Sequence, residues 1–60
     1  MSITIKIDTD NAAFEDSPGY EVARILRQLA DKINQFDGLA GYIKLYDVNG
    51  NKVGAFEVEG

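Results

Sequence analysis

The chain has 60 residues, with six Lys and Arg against ten Asp and Glu, a formal net charge of −4, and neither Cys nor His. That length allows one domain, residues 1–60, with a single small core and a total stability of about 3–9 kcal/mol at roughly 0.05–0.15 kcal/mol per residue. Those counts exclude disulfides, thiolate or imidazole metal sites and Ser–His or Cys–His nucleophiles, and they oppose direct binding to a nucleic-acid backbone.

The first element is a strand. Ile3, Ile5 and Ile7 alternate with Thr4, Lys6 and Asp8, a β-branched pattern of period two. Thr9 to Asp16 is polar apart from Phe14, and reads as a loop in which Phe14 folds back onto the core. An amphipathic helix follows from Ser17 to Gly38. Ser17 suits the N-cap, Pro18 the first helical position, and Asp37-Gly38 the exit. Val22, Ile25, Leu26, Leu29, Ile33 and Phe36 recur at spacings of three and four and mark its dry face. Glu21, Arg24, Arg27, Asp31 and Lys32 fall on the solvated side, within reach of one another for three- and four-residue ion pairs. Gly41 to Asp47 reads as a second strand, Val48-Asn49-Gly50-Asn51 as a turn, and Lys52 to Glu59 as a third strand.

The expected architecture is α+β: two layers in the order β-α-β-β, with one helix on a three-stranded, mostly antiparallel sheet. Strand order 2-3-1 is favoured because the third strand carries the most apolar residues on both faces. The alternative is order 1-2-3 with a right-handed parallel crossover. Ile3, Ile5, Ile7, Ile43, Leu45, Phe56 and Val58 are assigned to the face beneath the helix, with Gly54 where the helix passes closest. The opposite face has no second layer to cover it. There Tyr42, Lys44, Tyr46, Val53 and Ala55 form a mostly apolar patch, the candidate partner-binding site.

No catalytic, cofactor or metal site is expected. No phosphate-binding glycine pattern occurs. Asp47, Asn49 and Asn51 match the start of a calcium loop, but Lys52 stands where glycine is required and Val58 where the bidentate Glu belongs. Asp8, Asp10, Glu15 and Asp16 crowd the segment before the helix and are a second-choice surface, suited to a basic partner or a weakly held hard cation. Paired carboxylates for acid–base work need a cleft that raises one pKa, and a two-layer domain of this size has little room for one. The chain is therefore expected not to be an enzyme. No apolar run approaches the roughly 18 residues that span a bilayer, so no membrane partner is expected.

The segments TDNAAFED, EVARILRQLA and D-x-NGN-x-VG together make nearly the whole chain resemble a group of small proteins encoded in phages and prophages of Proteobacteria. The group has no agreed activity, so no site residues carry over. The resemblance implies expression in a bacterial host cytoplasm and action by binding a host protein, including components of bacterial immunity; the acidic charge balance suits a basic, nucleic-acid-binding one. An inhibitor of host defence, of the anti-CRISPR kind, is a concrete form of that expectation. A homodimeric accessory module built on the same patch is the alternative.

Overall fold

The computed structural model describes residues 1–35 and 41–60. Strand β1 (Ser2–Ile7) leads through a single 3-10 turn (Ala12–Phe14) into helix α1 (Pro18–Gln35), and β2 (Tyr42–Tyr46) and β3 (Lys52–Glu59) form a hairpin. The sheet has order β1-β3-β2 and both pairings are antiparallel. It is the expected α+β arrangement, with the central place held by β3. Phe36, the Asp37-Gly38 exit, and Leu39 and Ala40 lie outside the described residues.

Pro18 opens the helix, where its missing N–H costs nothing. Ser17 contributes its carbonyl, which accepts the Glu21 N–H at 3.2 Å. The stripe read from sequence supplies Ile25 and Leu29 to the core, with Val22 and Ile33 half-buried against it. Leu26, at the edge of the stripe, remains 40% exposed. Phe14 is buried as expected, delivered by a 3-10 turn rather than an irregular loop. Asn11 shapes that turn, because its side-chain oxygen accepts the Ala13 N–H at 2.9 Å. The hairpin turn needs one left-handed residue, Gly50 at φ 85°, and closes with the Gly50 N–H donating to the Asp47 carbonyl at 3.1 Å.

The sheet departs from expectation in three ways. First, Ile3 and Ile5 are each 45% exposed. They pair with Val58 and Phe56 and so lie on the core side of the sheet. Among the described elements, however, the helix packs more on β2 than on β1, so Ile3 and Ile5 are only partly covered. Second, Gly54 is hemmed in by the neighbouring strand. A Cβ there would lie 1.9 Å from the Lys6 carbonyl oxygen and 3.0 Å from the Ile7 Cα, so it is the β1 backbone that demands glycine. Third, the register shifts between Leu45, which faces Gly54, and Tyr46, which faces Lys52. Val53 is the extra residue of this bulge, and it is buried within the core cluster.

Candidate functional site

The sheet face away from the helix carries most of the expected patch. Tyr42 and Tyr46 are 45% and 41% exposed, Lys44 is exposed and Ala55 half-buried. Pairing places Lys44 opposite Ala55 and Tyr42 opposite Glu57, so these side chains share one face. Val53 contributes less than expected: the bulge takes it out of regular alternation and leaves it 7% exposed, although it still lines the groove on this face.

Lys52 belongs to the patch although its sequence position gave little sign of it. Its Nζ donates to the Tyr42 hydroxyl at 2.9 Å, and the same nitrogen is 5.6 Å from the ring centroid. The hydroxyl oxygen therefore lies between ammonium and ring, and the cation sits off the end of the ring rather than over its face. This hydrogen bond raises the Lys52 pKa above its ordinary value, against a smaller opposing effect of desolvation. Thr4 and Lys6 of β1 also reach this side, lining with Ala55 and Glu57 a shallow groove of about 340 Å³. Their inclusion follows once β3 is central, because the even-numbered residues of β1 must then share a face with Ala55 and Glu57. The resulting surface combines two phenol rings, three lysines and a carboxylate. It can stack, donate and accept, and it holds no nucleophile activated by a base.

A second cluster joins the hairpin to the helix. Glu21 and Asp47 are 4% and 5% exposed. The Glu21 carboxylate accepts from Arg24 Nε at 2.7 Å, from a terminal Arg24 nitrogen at 3.0 Å, and from the Val48 N–H at 2.8 Å. The helical spacing of Glu21 and Arg24 announced the ion pair, but not its burial. Asp47 accepts the N–H groups of Asn49 and Asn51, both at 2.9 Å, and the Asn11 side-chain amide at 2.7 Å. The turn reading of Asp47, Asn49 and Asn51 is thus the one its hydrogen bonds support.

The Arg24 bonds pull the Glu21 carboxyl below its ordinary pKa, outweighing desolvation, with the Val48 N–H assisting. Arg24 is held correspondingly further in its charged form by Glu21. At Asp47 burial pushes the pKa up, but the bonds from Asn51, Asn11 and Asn49 together overcome it, and the net direction is downward. A carboxylate so stabilised is a poor proton acceptor, whereas a general base works best with a pKa near the operating pH.

Asp8, Asp10, Glu15 and Asp16 are all exposed. Asp8 accepts the Asp10 N–H at 3.1 Å, a local turn contact. Among the described residues no three carboxylates converge as a metal site would require, and no helix is long and apolar enough to cross a membrane. Comparison with family models, curated proteins and solved structures gives no match to this chain.

Proposed function

We propose that the chain is a non-enzymatic interaction module whose Tyr42–Lys44–Tyr46 face docks on a host protein and blocks its working surface. The reading follows the phage-type resemblance of the sequence, and an anti-defence inhibitor of the anti-CRISPR kind is its most concrete form. The observation that carries it is the exposure of two tyrosines on a sheet face that no other described element covers. Tyr serves at interfaces because it offers a large rigid surface with a polar end at low entropic cost. The net charge of −4 favours a basic partner, including one that itself handles nucleic acid.

The test is paired. Wild type and the Tyr42→Ala/Tyr46→Ala variant are immobilised and exposed to lysate of a bacterial host. In parallel, phage plating efficiency is measured on an immune host expressing each protein. The expected result is one specific partner and restored plating with wild type, both lost in the variant although its circular dichroism is unchanged. Equal behaviour of the two proteins in both assays would refute the proposal.

A further inference from the structure

The β1 edge differs from the tyrosine face in carrying, besides apolar side chains, backbone groups with no partner among the described residues. The Asp8 N–H donates to the Val53 carbonyl at 2.7 Å, continuing the β1–β3 ladder by one pair beyond Ile7 and Gly54. In an antiparallel ladder, alternate residues bond to the neighbouring strand. Asp8, Lys6 and Thr4 therefore direct their N–H and C=O groups to β3, as the nearness of the Lys6 carbonyl to Gly54 also shows. Ile3, Ile5 and Ile7 direct theirs outward. A six-residue strand with a row of donors and acceptors unpaired among the described residues and two isoleucines 45% exposed is a pairing template.

The order of residues along β1 points to the occupant. We propose that a second copy of this chain pairs here, β1 against β1 and antiparallel, about a twofold axis at Ile5. Ile5 then faces its own mate, Ile3 faces Ile7, Thr4 faces Lys6 and Ser2 faces Asp8. Every outward-bonding residue meets another, every isoleucine meets an isoleucine on the core side, and no like charges are opposed. Moving the axis one residue toward Ile7 would set Lys6 against Lys6. The other edge is less suited, since β2 is five residues long and pairing about its centre sets Lys44 against Lys44. Among the described elements the helix packs more on β2 than on β1. The product is a dimer with one continuous six-stranded sheet. Both tyrosine patches stay free at its outer ends, so this dimer stands or falls separately from the docking proposal.

Sedimentation of wild type from micromolar to millimolar concentration is expected to show conversion to twice the monomer mass. Amide hydrogen exchange over the same range supplies the register. The N–H groups of Ile3, Ile5 and Ile7 become protected as concentration rises, while those of Thr4 and Lys6 do not change. A chain of this length is accessible to total synthesis, and an N-methyl group at Ile5 deletes only an outward donor. It removes two hydrogen bonds per dimer and weakens association by about thirtyfold. Ile5→Lys is the genetic counterpart and is expected to be monomeric. A wild type that stays monomeric throughout, protection at Tyr42 and Lys44 instead, or unimpaired association of the N-methyl protein would each overturn the proposal.

Discussion

Gly54→Ala probes the close approach of the β1 backbone to β3. An added Cβ would sit 1.9 Å from the Lys6 carbonyl oxygen and 2.9 Å from the Lys6 carbonyl carbon. Even a close carbon–oxygen contact is about 3.3 Å, so one of the two backbones must retreat by more than an ångström. Neither is free to do so, because Lys6 pairs with Ala55 and Ile7 with Gly54 itself. Relief means stretching or losing about two ladder hydrogen bonds, at roughly 1 kcal/mol each, on top of overpacking strain of about 1–3 kcal/mol. The sum, about 3–5 kcal/mol, is roughly a third or more of what a chain of this length has to lose. Urea and thermal unfolding followed by circular dichroism should show the loss, with Tm falling by at least about 12 °C at roughly 4–8 °C per kcal/mol. Gly19→Ala is the matched control. A Cβ there meets nothing within 4 Å, and the site is helical, so it should gain about 0.4–1 kcal/mol. A Gly54→Ala protein within about 0.5 kcal/mol of wild type would refute the idea that the β1 backbone dictates this glycine.

The pKa shifts set the sign of the pH response. Glu21 and Asp47 are lowered from 4.5 and 3.8, so their stabilisation is complete above those values and is lost as pH falls through the depressed folded values. The urea midpoint should therefore be lower at pH 3 than at pH 7, and Glu21→Gln/Asp47→Asn should flatten that acid limb; an unchanged acid limb in the double variant would contradict the assignment. Lys52 has the opposite sign: raised from 10.5, its contribution is full below that value and disappears as pH rises through the higher folded value, a trend Tyr42→Phe should abolish in alkaline unfolding. Phe56, 1% exposed at the centre of the sheet, should cost about 3–5 kcal/mol as Ala, enough to leave much of the protein unfolded by near-ultraviolet circular dichroism. Ile25→Ala should cost about 2–5 kcal/mol, and Ile5→Ala about half of that or less, because much of the Ile5 side chain is already in water in the single copy.

The elements were legible wherever a single period or a single residue decided them. Val22, Ile25 and Leu29 specify a helix by spacing, Ile3 to Ile7 a strand by alternation, and Gly50 a turn by its backbone freedom. The strand order followed from the apolar content of β3. Features that depend on two distant segments were not legible. Alternation says that Ile3 and Ile5 share a face, but not that the helix lies over β2. Glu21 sits on the polar side by spacing, and only the Val48 N–H, 27 residues away, draws it under cover. A bulge shifts Val53 without leaving a mark in the alternating pattern, because its neighbours remain β-formers. Of the expected patch, the two tyrosines, Lys44 and Ala55 were placed on one face by strand alternation alone. Lys52 and the groove required the pairing of β1 with β3 to be known.

The Glu21–Val48 bond also makes the molecule self-reporting. Arg24 holds Glu21 and lies 3.4 Å from the Tyr46 carbonyl, so the tip of the hairpin, the first turns of the helix and one of the exposed phenols are mechanically linked. A ligand that tugs on Tyr46 must disturb a single peptide proton anchored to a carboxylate. In a nuclear magnetic resonance titration, the Val48 amide peak would register engagement of that phenol from the side opposite the contact, with no label attached to the surface being probed.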